Sequence, residues 1–290
     1  MSDSNQSISL VLGSGGARGL AHIGVIHWLE ENNYTIDSIA GSSIGALVGA
    51  MYALGKLSEF SDWIRAITKL EMIRLMDFSL GQGGLVKGDK IINVLKEITG
   101  EKLIEELPIH FTAVATDLVN EKEVWINRGP VFDAIRASIS MPLFFTPFDF
   151  NGLQLIDGGI LNPVPIAPTF KDLTDKTIAV NLAGSPNNNL NLPEDKPEVP
   201  VEKSIFNRKI DQFIDSIKPA KTEKTFNGMY DIISQSIDAM QGAVARQKLA
   251  AYPPDIVLEL PRNLCSTLDF HRADEMIAAG YELAKTQLSH

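Results

Sequence analysis

A strand, a tight glycine-containing turn and a helix follow one another twice within the first 55 residues of the chain. The apolar run from Ser7 to Leu12 predicts a short strand, and apolar positions from Leu20 to Leu29 are spaced for one face of a helix. Ser38 to Gly41 predicts a second strand, which a small-residue helix from Ala46 to Leu54 follows. This order is typical of a parallel or mixed sheet with helices on its faces. We therefore expect an α/β protein with three layers, α/β/α.

Later parts of the chain continue this pattern. Three further apolar runs predict strands, and three segments are predicted to be helical. The strands are Phe111 to Ala115, Ile178 to Leu182 and Ile256 to Leu260, and the helices are Asp89 to Thr99, Met229 to Leu249 and Arg272 to Thr286. A polar stretch rich in proline and asparagine, from about 185 to 202, predicts an exposed loop.

The most specific local motif is Gly41-Ser42-Ser43-Ile44-Gly45, a G-x-S-x-G sequence between a predicted strand and a predicted helix. Small residues on either side of Ser43 permit a sharp turn that presents its hydroxyl group at the sheet edge. The amides at the start of the following helix favour negative charge nearby. The functional interpretation is a nucleophile for acyl transfer, and the structural alternative is close packing of helix against strand.

The glycine-rich turn from Gly13 to Gly19 is open to two interpretations. Its backbone N–H groups can converge on a phosphate or on the oxyanion of an acyl-transfer intermediate. A dinucleotide-binding sequence would have a third glycine where Arg18 stands, and a Walker loop would end in Lys-Ser or Lys-Thr. The nearby nucleophile motif favours the oxyanion, and Arg18 would then hold the loop in place or attract an anionic headgroup.

Two residues compete as the base that activates Ser43. His271 follows Asp157 in the chain, so the order serine, aspartate, histidine matches that of an α/β-hydrolase triad. Asp157 itself ends a short apolar run before Gly158 and Gly159, which predicts a position at a sheet edge where partial burial raises its basicity. Asp-Gly-Gly is also a common turn sequence, so these residues by themselves leave both bases open.

Three blocks of the sequence, in this order and spacing, resemble the signature of patatin-like phospholipases. They are Gly15-Gly16-Ala17-Arg18-Gly19, Gly41-Ser42-Ser43-Ile44-Gly45 and Asp157-Gly158-Gly159. Smaller agreements at 137–142, 145–147, 162–165 and 269–274 extend the resemblance over most of the chain, and 185–247 is the least matched part. Ser14 departs from the pattern, because many members have a further glycine there.

The resemblance implies a patatin-like fold with a central mixed, mostly parallel sheet. It also implies a catalytic dyad of Ser43 and Asp157 without a catalytic histidine. The oxyanion hole would come from the amides of Gly15, Gly16 and Ala17. Residues 7–170 would form the catalytic region, and residues 171–290 would complete the same domain.

The substrate implied by the resemblance is a lipid or another acyl ester. Four phenylalanines between Leu143 and Phe150 would line a pocket for the acyl chain or pack in the core. An amphipathic pattern from Ile205 to Ile217 fits a lid or a helix packed against the predicted helix from Met229 to Leu249. Phospholipase A, lysophospholipase and esterase activities stay open, as does a regulatory or adaptor protein that keeps the fold without turnover.

Charge and composition bear on partners and compartment. The formal net charge of -10 argues against a general nucleic-acid-binding protein. Cys265 is the only cysteine, which excludes a disulfide within the chain and favours a reducing compartment. The sequence lacks a signal-peptide pattern and an apolar run of the roughly 18 residues that suggest a membrane span. We expect a cytoplasmic protein with no cofactor or metal, for which peripheral membrane contact and oligomeric state stay open.

Overall fold

The computed structural model describes residues 6–68, 71–72, 88–186 and 229–289. A mixed sheet of eight strands lies at its centre. In chain order the strands are β1 (Gln6–Leu12), β2 (Tyr34–Ser42), β3 (His110–Asp117), β4 (Lys122–Ile126), β5 (Phe148–Phe150), β6 (Leu153–Asp157), β7 (Lys176–Gly184) and β8 (Ile256–Pro261). Their spatial order is β5-β6-β3-β2-β1-β7-β8, and β4 pairs with β3 beside this path. The expected α/β class and mixed sheet are confirmed.

Helices cover both faces of this sheet. In chain order they are α1 (Ala21–Glu31), α2 (Ile44–Ala53), α3 (Leu57–Ala66), α4 (Asp89–Thr99), α5 (Val131–Ser138), α6 (Met229–Ala251) and α7 (Ala273–Leu288). α4 begins after Gly88 and ends before Gly100. Both residues have φ of 73°, which lies in the left-handed region that favours glycine.

The neighbouring strands β3, β2, β1, β7 and β8 run parallel, and β4, β5 and β6 add antiparallel pairs at one side of the sheet. Side chains of β1 alternate between the two faces. Ile8 and Leu10 lie in the main core with residues of α1, α2 and α7. Val11 lies in a smaller core with Ala245 of α6. Because both faces are covered, the central strands are apolar along most of their length.

Two strands meet end to end along one edge of β3. Val114 of β3 pairs with Ser42, the last residue of β2, and the next residue, Ala115, pairs with Asp157, the last residue of β6. β4 occupies the other edge beside both β3 residues. Since a strand has only two edges, β2 and β6 lie on the same one, and they run towards each other because β6 is antiparallel. The ends of these two strands are therefore neighbours.

Each strand and helix that the sequence predicts within the described residues is present. α4 has the predicted bounds, whereas β2 begins four residues earlier than predicted, at Tyr34. Arg272 ends a short 3-10 turn, and α7 begins one residue later. The helices α3 and α5 and the strands β4 and β5 were not predicted from the sequence.

Beyond residue 186, the predicted polar loop of about 185–202 lies outside the described residues, as does the whole amphipathic pattern of residues 205–217. No helix in the part of the chain that the structure describes is both long and apolar enough to cross a bilayer.

Candidate active site

Ser43 stands in a strained turn between β2 and α2. Its backbone has φ of 56° and ψ of -123°, and a non-glycine residue in such a conformation costs about 1–3 kcal/mol. Glycine is required at both ends of the motif, because a β-carbon on Gly41 would lie 2.5 Å from the Ala46 nitrogen, and one on Gly45 would collide with β1. The turn lifts the Ser43 side chain above the end of the sheet, as expected for a nucleophile motif.

The Ser43 hydroxyl donates a hydrogen bond of 2.5 Å to Oδ2 of Asp157. The other carboxylate oxygen, Oδ1, accepts from the Gly159 amide at 2.7 Å. Asp157 is only 1% exposed, and this burial raises its pKa from 3.8 to about 6 against the opposing effect of the two hydrogen bonds. The carboxylate is thus ionised at neutral pH yet more basic than an ordinary aspartate.

The turn after Asp157 also depends on glycine. A β-carbon on Gly158 would lie 2.0 Å from the Val114 carbonyl oxygen, and one on Gly159 would lie 2.6 Å from Oγ of Ser14. A side chain at position 158 would push the end of β6 away from β3, and one at position 159 would collide with the glycine-rich loop. The two glycines therefore permit the close approach of Asp157 to Ser43.

His271 does not take part in this arrangement. Its side chain is exposed on the 3-10 turn before α7, and it is not among the described residues that line the cavity at Ser43. The serine contacts Asp157 directly, with no imidazole between the two groups. The triad alternative that the sequence leaves open has no support in this geometry.

Two amides of the glycine-rich loop are candidates for an oxyanion hole. Those of Gly15 and Gly16 have no acceptor among the described residues, and Gly16 lines the same cavity as Ser43. The amide of Ala17 is not available to an oxyanion, contrary to the sequence-based expectation, because it donates to the Thr267 carbonyl at 2.9 Å. Ala17 thus anchors the loop to the chain before α7.

A buried histidine supports the same loop from α1. Nε2 of His22 lies 2.8 Å from the Gly13 carbonyl oxygen. Complete burial lowers the pKa of His22 to about 4, so its imidazole is neutral at physiological pH and donates this hydrogen bond from Nε2. This role of His22 could not be predicted from the sequence, since a histidine on an apolar helix face gives no sign of the carbonyl that it meets.

Arg18 points away from Ser43. Its guanidinium donates to the carbonyls of Arg262 at 3.1 Å and Cys265 at 3.4 Å, and to Oδ1 of Asp238 at 3.0 Å. The side chain is 5% exposed and lines a different, polar cavity. Of the two interpretations of Arg18, the contacts fit the one in which it holds the loop.

An apolar cavity opens beside Ser43. It encloses about 750 Å³, the space at its mouth included. Its described lining is Gly16, Ser43, Ile44, Leu47, Phe60, Trp63, Ile64, Met72, Ile91, Ile139, Met141, Phe144, Phe145, Thr267, Leu268 and Phe270. Phe144 and Phe145 are thus pocket residues, whereas Phe148 and Phe150 lie in β5 and are not among them. Such a lining fits a hydrocarbon chain.

The described residues contain no group of three or more His, Cys, Asp or Glu side chains that could hold a metal ion.

One further residue, Ser138, contacts Ser43. It belongs to the 137–142 block that resembles the family, but no role was predicted for it. The hydroxyl of Ser138 accepts the backbone N–H of Ser43 at 2.9 Å. A serine near the end of a helix gives no sequence signal of this contact, which joins residues 95 positions apart.

Proteins of one family are similar to this chain in sequence. The family model described as patatin-like phospholipase matches residues 10–170. An uncharacterized NTE family protein of Mycobacterium tuberculosis is 38% identical, over 98% of this chain and 92% of its own length. A lysophospholipase of Candida glabrata is 32% identical, over 56% of this chain and 10% of its own. The crystal structure of VipD from Legionella pneumophila has a TM-score of 0.48 and 14% identity, covering 98% of this chain and 67% of that one.

Proposed function

This chain belongs to the patatin-like phospholipase family, and on that premise we propose that it is a serine acyl hydrolase of lipid esters. The observation that carries the proposal is the 2.5 Å hydrogen bond from Ser43 Oγ to Asp157 Oδ2 beside an apolar cavity. A nucleophile within hydrogen-bond distance of a buried base is the arrangement that covalent acyl transfer requires.

In the first half of the proposed reaction, Ser43 Oγ attacks the carbonyl carbon of the ester. Asp157 Oδ2 takes the hydroxyl proton as the new C–O bond forms, and the carbonyl oxygen gains a negative charge. The amides of Gly15 and Gly16 donate hydrogen bonds to this oxyanion. The intermediate then expels the alcohol, whose oxygen receives the proton from Asp157, and the acyl group stays on Ser43.

The second half-reaction uses the same groups on water. Asp157 accepts a proton from a water molecule whose oxygen attacks the acyl carbonyl carbon. The bond to Ser43 Oγ breaks, the proton on Asp157 returns to that oxygen, and a fatty acid leaves. Asp157 serves as a base in both halves because burial raises its pKa to about 6, close to the working pH at which general bases are efficient.

The cavity supports a substrate with a long hydrocarbon acyl chain. Apart from Ser43 and Thr267, the described side chains that line it are apolar, so a chain of methylene groups would replace water there at a gain of roughly 0.8 kcal/mol per buried CH₂. This part of the ester is common to phospholipids, lysophospholipids and simple long-chain esters. The probes of choice are therefore a lysophospholipid and p-nitrophenyl esters of short and long acids.

The test is the hydrolysis of these probes by wild type, Ser43→Ala, Asp157→Asn and His271→Ala, with circular dichroism as the check of folding. We expect the Ser43 and Asp157 variants to lose about four orders of magnitude or more in kcat, and His271→Ala to keep wild-type activity. Loss of activity in the histidine variant as well would replace the dyad with a triad. A folded wild type that hydrolyses none of the probes would overturn the hydrolase proposal in favour of an adaptor.

A further inference from the structure

One short segment contacts both residues of the proposed dyad and also lines the apolar cavity. It runs from Ser138, the last residue of α5, through Ile139 and Ser140 to Met141. Ser138 and Ser140 are completely buried and meet the backbone of Ser43 and Asp157, whereas Ile139 and Met141 line the cavity. Alternate residues of this segment therefore face the dyad and the cavity.

The Ser138 hydroxyl uses its donor and one acceptor position at the nucleophile. It accepts the Ser43 N–H at 2.9 Å and donates to the Val114 carbonyl at 2.6 Å. Val114 is the residue of β3 that pairs with the end of β2. The hydroxyl thus connects the strained turn to the sheet, and its two contacts fix both its own rotamer and the orientation of the Ser43 peptide.

Ser140 holds the other member of the dyad through its backbone. Its carbonyl accepts the Asp157 N–H at 3.0 Å. Its own position is set by Arg136, whose Nη1 donates to the Ser140 hydroxyl at 2.5 Å, while that hydroxyl donates to the Arg136 carbonyl at 2.7 Å. Ser43 and Asp157 are therefore both held at the end of α5, by two serines that are two residues apart in the chain.

We infer that Ser138 is a positioning residue that holds the Ser43 turn in the orientation in which its Oγ reaches Asp157. The inference rests on the function proposed above, since it concerns the same dyad. The physical reason is that the positive φ of Ser43 is a rotation about its N–Cα bond, so the hydrogen bond made by its N–H helps to fix that rotation. Without an acceptor for that N–H, the peptide relaxes towards an ordinary conformation, and Oγ moves away from the carboxylate.

The same geometry separates this role from simple stabilisation of the fold. The Ser138 hydroxyl contacts backbone groups of the Ser43 turn and of β3, but it does not line the cavity. Its loss therefore leaves the acyl-chain site intact. A positioning role lowers kcat without raising KM, because the misplaced hydroxyl impairs bond formation and not binding.

The test compares wild type, Ser138→Ala and Ser138→Thr with a long-chain p-nitrophenyl ester, measuring kcat, KM and Tm. We expect Ser138→Ala to lower kcat about 10- to 100-fold, with KM changed by less than about twofold. Threonine keeps the hydroxyl and should recover most of the lost kcat. If its extra methyl group prevents folding, Ser138→Cys offers a weaker acceptor of similar size and should fall between serine and alanine.

Ser9→Ala is the matched control. Ser9 is also a completely buried serine, and its hydroxyl contacts Asp172 and Thr174 far from the dyad. This variant should lower Tm and leave kcat unchanged. An active wild type together with a Ser138→Ala variant of unchanged kcat would refute the positioning role alone, as would a fall in Tm without a fall in kcat. An inactive wild type would refute the proposed function instead.

Discussion

Gly45, in the first turn of α2, lies so close to Leu12 at the end of β1 that a β-carbon on Gly45 would stand 2.1 Å from the Leu12 carbonyl oxygen. β1 leads directly into the glycine-rich loop, and α2 begins immediately after Ser43. This contact brings the Ser43 turn close to the start of the glycine-rich loop. It leaves no room for a side chain at residue 45, because the atoms met, in Leu12 and Gly13, belong to the backbone.

Replacement of Gly45 tests this contact. Gly45→Ala should destabilise the fold by about 1–3 kcal/mol through overpacking and should reduce kcat, because α2 moves away from β1. Gly242→Ala is the control, since a β-carbon there meets nothing nearer than 3.6 Å and should raise stability by up to about 1 kcal/mol in the interior of α6. Urea unfolding and ester hydrolysis measure both effects. Equal stability of the two variants would contradict the close contact.

Asp157→Asn should make the protein more stable at neutral pH while it removes activity. Burial raises the pKa of Asp157 from 3.8 to about 6, so ionisation of this group costs the folded state up to about 3 kcal/mol. The sign follows from linkage: the folded state binds the extra proton between pH 4 and 6, and wild-type stability falls as pH rises through that window. The advantage of the variant should be full above pH 6 and absent below pH 4.

Urea unfolding of both proteins at pH 4, 5, 6 and 8 measures this difference, and the contribution of His22 cancels because both proteins contain it. Asp117→Asn provides a control of opposite sign. Hydrogen bonds from Asn120 and Val119 hold the pKa of Asp117 below its ordinary value, so its loss should destabilise the protein above pH 4. A stability gain for Asp157→Asn that is the same at every pH would show that the buried charge is not its cause.

The pH dependence of hydrolysis should report the same carboxylate. Because Asp157 must be ionised to accept the Ser43 proton, kcat/KM should rise about tenfold for each pH unit below 6 and level off above it. The measurement is hydrolysis of a p-nitrophenyl ester between pH 4 and 8.5 in wild type and His271→Ala. Superimposable profiles are expected. A profile that differs between the two proteins would implicate His271 in catalysis and contradict Asp157 as the only base.

If the chain is the proposed hydrolase, a larger side chain in the cavity should shorten the acyl chains that it accepts. Ile91 of α4 lines the cavity and is only partly buried, so Ile91→Trp should cost little stability. We expect kcat/KM to fall about 10- to 100-fold for a long-chain ester and to change little for a butyrate ester. Ile98→Trp, two turns along the same helix and not among the described lining residues, should change neither. Equal losses for both chain lengths would exclude this cavity as the acyl site.

Arg18 should matter for stability and for the loop rather than for the choice of headgroup. Arg18→Gln breaks a largely buried ion pair with Asp238 and two bonds to carbonyls, which we expect to cost about 2–4 kcal/mol. Arg65→Gln removes an exposed ion pair with Asp274 and should cost less than about 1 kcal/mol. The ratio of KM for a lysophospholipid to KM for a p-nitrophenyl ester should be unchanged by Arg18→Gln. A raised ratio would assign Arg18 to the headgroup.

Local sequence determined the elements that carry the site. Apolar periodicity and glycine positions predict β1, β2 and α2 and the bounds of α4, because each depends on residues close together in the chain. The sharp turn at Ser43 could be predicted for the same reason, since the small residues around Ser43 are required by the turn itself. The glycines after Asp157 likewise marked a sharp turn at the end of a strand.

Only the tertiary structure decided which groups meet. The family resemblance implies that Ser43 and Asp157 act together, but the local pattern alone left His271 open as the base. Their contact depends on β6 pairing along the same edge of β3 as β2, and pairing between distant strands leaves no mark in the local pattern. The same holds for the Ser138 hydroxyl at the nucleophile, for the occupied amide of Ala17 and for the direction of Arg18. Each is set by packing among segments far apart in the chain, where burial and hydrogen-bond geometry, and not residue type, select the partner.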